Sequence, residues 1–139
     1  MKSGLLAAVA VGGILLAGPA SAQGVKIGIL NDQSGVYADY GGKWSVEAAK
    51  MAIEDFGGEV LGHKIEITSA DHQNKPDLAS AIARRWYEVE NVDMITELTT
   101  SSVALAVHDL SKQMKKIDIV VGAATSRLTG DACQPYGFH

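Results

Sequence analysis

The sequence predicts an α/β fold: an open parallel sheet with helices on both faces. Short apolar, β-branched runs recur at residues 25–30, 64–70, 92–98 and 117–121. Longer stretches with helical periodicity lie between them. The resulting βαβαβαβ order calls for a parallel sheet covered by helices. Right-handed crossovers then place the C-terminal end of every strand on one edge.

Each element has its own local reason. Residues 25–30 (VKIGIL) form the first strand, followed by a Gly- and Asp-containing loop at 31–40. The first helix runs over 42–55, with Val46, Ala49 and Ile53 as its apolar face, joined by Ala48, Ala52 and Phe56. Gly57 and Gly58 stop it. Residues 64–70 form the second strand, with Ile65 and Ile67 on one side, and 71–75 a polar loop. Pro76 suits a first helical turn and Asp77 its positive end. That helix extends to 90 and buries Leu78, Ile82 and Trp86 or a subset of them. Residues 92–98 are the third strand. Ser101 or a neighbour caps the third helix, which runs to 115. Its apolar positions are Val103, Leu105, Ala106, Val107 and Leu110, and Lys112, Lys115 and Lys116 gather at its negative end. Residues 117–121 read as a strand buried on both faces. Residues 122–139 hold no convincing helix, so the fourth strand lacks a cover. Residues 23–139 are therefore expected to be an incomplete lobe; the alternative is a complete small domain with a docked tail.

The chain has 12 basic and 16 acidic residues and a net charge of −4. It has no basic stripe, which excludes nucleic acid as the expected partner. Residues 1–22 read as a signal peptide. Lys2 precedes an apolar run at 5–17, Gly18-Pro19 breaks it, and Ala20-Ser21-Ala22 forms a small-x-small cleavage site. The run is shorter than the roughly 20 residues a membrane span needs. Export to the periplasm is expected, with a mature chain starting at Gln23 and not inserted in the membrane. Cys133 is the single cysteine. It is a free thiol, an intermolecular bridge, or half of a pair completed elsewhere. It makes no metal cluster with His63, His72 and His108, whose spacings match no ligand set. No metal or cofactor is expected.

In open α/β sheets ligands bind at the C-terminal strand ends. The first loop, 31–41, lacks the G-x-G-x-x-G of a dinucleotide site, and the chain has no P-loop. Its tyrosines either cover an apolar ligand or cap the sheet edge. Thr99-Thr100-Ser101-Ser102 is the most informative stretch. One or two of these hydroxyls would cap the helix. Four exceed that need and, with free N–H groups and the helix dipole, suit a carboxylate or other small anion. Ala123-Ala124-Thr125-Ser126 lies on the same edge, where small residues admit a ligand and Thr125 supplies another hydroxyl. Nothing reads as catalytic. There is no G-x-S-x-G elbow, and His108 and Asp109 lie mid-helix.

The stretches VKIGILNDQSGVYADYGGKWSVEAAKMAIEDFGGEVLGHKIEI, DHQNKPDLASAIARRW, ITELTTSSVALAV and GAATSRLTG resemble the leucine/isoleucine/valine-binding family of periplasmic receptors, of the type I periplasmic binding fold. The resemblance covers nearly all of the chain after residue 22. It implies the first of two lobes that close on a ligand. By position it assigns the carboxylate to Thr100 and Thr125, with the backbone of Leu98, Thr99 and Ala123 alongside and Tyr40 lining the apolar side. It implies passive capture of a small carboxylate-bearing solute and delivery to the membrane permease of an ABC importer. The solute would be a branched-chain or hydrophobic amino acid, or an aromatic or other organic acid. The family's best-studied members carry a Cys and serines where this chain has Thr99 and Thr100, and a disulfide of theirs cannot form here. The wording of the segments is closer to a branch serving aromatic or other organic acids. The alternatives are the outer domain of a sensor and, less favoured, an exported α/β hydrolase.

Overall fold

A computed structural model describes residues 24–139. The signal-peptide expectation for 1–22 lies outside the described residues. The elements in order are β1 (Lys26–Asn31), α1 (Ala38–Gly41), α2 (Lys43–Phe56), β2 (Glu59–Val60), β3 (His63–Lys64), β4 (Glu66–Asp71), α3 (Pro76–Glu88), β5 (Met94–Glu97), α4 (Ser101–Met114), β6 (Ile117–Val120), a 3₁₀ turn (Ser126–Thr129) and β7 (Gly137–Phe138).

The main sheet has five strands in the order β4-β1-β5-β6-β7. All of its pairings are parallel, with Ile29 opposite Ser69 and Thr96, and Thr96 opposite Ile119. From β1 the chain winds outward to β4, then crosses back over β1 to β5 and continues to β6. With right-handed crossovers, the reversal puts α2 on one face and α3 and α4 on the other. The winding direction switches between β1 and β5, so a crevice opens there at the C-terminal edge.

The two faces are packed differently. Ala79, Ala83, Trp86, Val103 and Val107 are buried between α3, α4 and the sheet. Gly28 admits this packing, because a Cβ there would meet the Trp86 ring at 2.6 Å. The α3 face is centred on alanines, and Leu78 and Ile82, expected as its core, are only half-buried. Alanines let the helix come closer than longer side chains would. On the other face Val46 is the α2 residue that is buried. Ala48, Ala52 and Phe56, expected to join its apolar face, are exposed. The helix stop is as expected: Gly57 is left-handed, and Gly58 N–H reaches back to the Ile53 carbonyl at 2.8 Å.

Residues 122–139 were expected to hold no convincing helix, and no strand was read in them. They add β7, which pairs with β6 at Asp118–Gly137 and Ile119–Phe138. A buried polar cluster fixes this segment. His108 Nδ1 and Asp118 Oδ2 lie 2.8 Å apart, with side chains 3% and 0% exposed. Gln134 Nε2 donates to Asp118 Oδ1 at 3.1 Å, and the Ala132 carbonyl lies 3.2 Å from His108 Nε2. Burial pushes the Asp118 carboxyl up, and hydrogen bonds with His108, Ser111 and Gln134 offset part of that rise.

Candidate functional site

Three segments meet at the C-terminal strand edge. The loop after β1 is held by two carboxylates. Asp32 is fully buried and accepts from the N–H groups of Gly35 at 2.7 Å and Tyr37 at 3.0 Å. Asp71, at the end of β4, accepts from the Gln33 N–H at 2.9 Å and from the Ser34 hydroxyl. Burial alone would raise the Asp71 carboxyl. Hydrogen bonds from Ser34, Gln33 and Gln73 outweigh it and hold the group below its usual value. The pinned loop leads into α1, which carries Tyr40.

After β5 the backbone turns sharply. Glu97 (φ 85°) and Leu98 (φ 51°) are both left-handed without being glycine. Such conformations cost about 1–3 kcal/mol each and concentrate at functional positions. The turn delivers Thr99 and Thr100, 3% and 7% exposed, to the start of α4. Thr100 occupies the N-cap position, yet its side chain makes no capping hydrogen bond. The hydroxyl oxygens of Thr99 and Thr100 are both buried and have no partner among the described residues. Buried polar groups are normally satisfied; two of the three unpartnered buried side-chain atoms among the described residues, the third being His72 Nε2, sit at the positive end of a 14-residue helix.

The other expected residues fall around this pair. Tyr40 is 72% exposed. A Cβ added to Gly122 would lie 3.2 Å from both Tyr40 Cε1 and Thr99 Cα. Tyr40, Thr99 and Gly122 are thus brought together. Leu98 is fully buried and spends its N–H on the Leu30 carbonyl at 3.0 Å, which leaves its own carbonyl for other partners. Ala123 is buried, and its carbonyl lies 2.6 Å from His139 Nε2. Thr125 caps the 3₁₀ turn by accepting from Arg127 N–H at 3.4 Å. Its hydroxyl proton remains able to donate. No hydrogen bond joins Thr125 to Thr99 or Thr100 among the described residues. Val36, Tyr37 and Val121 add exposed apolar surface to the same edge.

Sequence reasoning missed Asn31, Gly41 and Glu97. Glu97 is half-buried; burial pushes its carboxyl up, and a hydrogen bond with Ser45 offsets part of that. A Cβ on Gly41 would meet Thr99 Oγ1 at 2.8 Å and Glu97 Oε2 at 3.2 Å. The glycine pair at 41–42 was the available signal for this close approach. The orphan hydroxyls do not line the roughly 280 Å³ cavity beside α4, which His108, Lys112, Arg127 and Gln134 border. That cavity overlies a satisfied polar cluster midway along the helix, so the strand edge is the better candidate on chemical grounds.

The structure is an open parallel α/β lobe with unpartnered hydroxyls near the switch between β1 and β5. The chain belongs to the periplasmic binding protein family, whose model matches residues 24–139. A periplasmic binding protein from Burkholderia mallei is 44% identical, with a TM-score of 0.80 over 83% of this chain and 31% of that one. A branched-chain amino acid ABC transporter periplasmic ligand-binding protein from Burkholderia xenovorans LB400 is also 44% identical, with a TM-score of 0.79 over 81% and 30%. An ABC transporter solute-binding protein from Rhodopseudomonas palustris BisB5, in complex with 3,4-dihydroxybenzoic acid, is 31% identical, with a TM-score of 0.74 over 81% and 30%. This chain therefore spans about a third of the length of these proteins. No curated protein matches it. The related proteins are solute-binding components of transporters and not enzymes.

Proposed function

We propose that residues 23–139 form part of the first lobe of a periplasmic receptor that captures a small carboxylate-bearing solute for an ABC importer. The observation that carries this reading is the pair of buried, unpartnered hydroxyls of Thr99 and Thr100 at the N-terminus of α4. A carboxylate there accepts from Thr100 Oγ1, from first-turn N–H groups and from the Thr125 hydroxyl, with the Thr99 and Ala123 backbone alongside; the Leu98 N–H is spent on the Leu30 carbonyl and does not join it. The exposed Tyr40 covers the solute's apolar part. Residues 1–22 direct export and are removed after Ala22, and the loaded receptor closes by a hinge and passes its solute to a membrane permease. The solute is a branched-chain or hydrophobic amino acid or an aromatic acid. Both classes occur in the names of related proteins, and the aromatic rim at Tyr37 and Tyr40 favours the second.

The test is titration calorimetry on the full-length mature protein with isoleucine and 3,4-dihydroxybenzoate. Changing Thr100 and Thr125 to Ala removes two hydrogen bonds to a charged group, each contributing about 1.5–3 kcal/mol. An unchanged affinity in the double variant would sink the site assignment.

A further inference from the structure

The exposed Tyr40 needs something to fix its height above the strand ends, and α1 alone does not. That helix has four residues and no side-chain cap. Helices this short do not stand alone in water. Among the described residues, the sheet side chain that hydrogen-bonds to this turn's carbonyls is Asn31.

Asn31 ends β1 and is fully buried. Its Nδ2 carries two protons, and both are used: one goes to the Gly41 carbonyl, the other to the Gly42 carbonyl at 2.7 Å. Two carbonyl oxygens facing one end of the amide require the NH2 there, and Oδ1 accepts from Gln33 Nε2 at 3.0 Å. Its backbone carbonyl accepts from His72 N–H at 3.0 Å, anchoring the residue to the β4 side as well. One amide therefore closes the loop from the last residue of β1 to the α1–α2 junction. The junction cannot settle anywhere else without loss. A Cβ added at Gly41 would meet Thr99 Oγ1 at 2.8 Å and Glu97 Oε2 at 3.2 Å, and one at Gly42 would lie 2.2 Å from the Ala38 carbonyl oxygen. Tyr40 immediately precedes these carbonyls, and its ring edge lies beside Gly122, where an added Cβ would meet Tyr40 Cε1 and Thr99 Cα each at 3.2 Å.

We infer that Asn31 is a positioning residue for solute binding: by holding the Gly41 and Gly42 carbonyls it seats Tyr40 over Thr99 and Gly122. The inference rests on the site proposed above. No isosteric replacement does the same work. An aspartate would set an anion against two carbonyl oxygens, and a leucine would leave both carbonyls buried without donors.

The test has two arms on the full-length mature protein. In the first, which needs no ligand, NMR follows the contact between the Tyr40 ring and the Gly122 α-protons. It should be present in the wild type and lost in Asn31→Ala and Asn31→Thr variants that keep a cooperative unfolding transition. A folded variant that retains the contact overturns the inference. The second arm is a double-mutant cycle with 3,4-dihydroxybenzoate. Asn31→Thr should raise Kd roughly tenfold, the loss of about one hydrogen bond's worth of ordering. In a Tyr40→Ala background the same change should have less than about a twofold effect, because residues acting through one another are not additive. Full additivity overturns the inference while leaving the site standing. Wild-type protein that binds neither isoleucine nor 3,4-dihydroxybenzoate counts against the proposed function, and the first arm still decides the role of Asn31.

Discussion

Among the buried polar side chains of the described residues, two groups are buried in opposite ways. His108, Asp118 and Gln134 face one another with every short contact made, and the segment carrying β7 hangs on them. Thr99 and Thr100 are as deeply placed, yet their hydroxyls meet nothing. A satisfied cluster explains itself as structure. An unsatisfied pair costs free energy in the empty protein and needs a further partner to offset it. The difference separates a residue set that holds the fold from one that is free to take a further partner, and burial alone could not do so.

The largest expected effect breaks the first group. Asp118→Ala removes one partner of a buried pair and should cost about 3–5 kcal/mol of stability by urea unfolding. A loss below about 1 kcal/mol would mean that the cluster does not anchor the C-terminal segment. The second group should respond with the reverse sign. Thr99→Val keeps the shape and removes an orphan hydroxyl, so the empty protein should gain about 1 kcal/mol of thermal or urea stability. If the variant is instead destabilised by that much, Thr99 has a partner in solution, and the contrast between the two clusters fails. The smallest effect is a slope. Burial raises the Glu97 carboxyl above its ordinary 4.5, so the folded chain keeps a proton that the unfolded chain has released. Its contribution to stability is complete below the ordinary carboxylate range, is lost as pH rises toward the folded value, and is flat above it. Urea midpoints between about pH 4 and 7 should show this decline in the wild type and a shallower one in Glu97→Gln. Identical slopes would remove Glu97 from the list of strained groups at the site.

The alternation of strands and helices along the chain was legible because the segments around β1, β5 and β6 are rich in apolar, β-branched residues and α2 and α4 keep a helical period; the order β4-β1-β5-β6-β7 across the sheet was not read from it. The two-residue strands were not. Glu59–Val60 and His63–Lys64 have no length over which a period can show, and Gly137–Phe138 pairs only because Gln134 docks on Asp118. Periodicity also gives the direction of a helix's apolar face but not its width, so Phe56 and Ala52 were placed inside and lie outside. At the site, the hydroxyl run at Thr99 and Thr100 was visible as an excess over what a cap requires. The seating of Tyr40 was not visible. It depends on an asparagine that reads in sequence as one more loop residue, and on contacts with glycines at 41 and 122 that only the fold brings near. Asp118 was hidden for a similar reason: inside IDIV it reads as an interruption, and its partner is ten residues upstream on another element.

Cys133 is the one cysteine of this sequence, and its side chain is exposed. Its backbone is clamped: its own N–H donates to the Gly130 carbonyl at 3.1 Å, the carbonyl before it faces His108, and the side chain after it is buried on Asp118. A maleimide dye attached there would have a reachable thiol on a backbone that does not wander, so its polarisation would track the tumbling of the whole lobe. Residues 24–139 thus carry a surveying mark fixed to the structural cluster and separate from the unpartnered threonines.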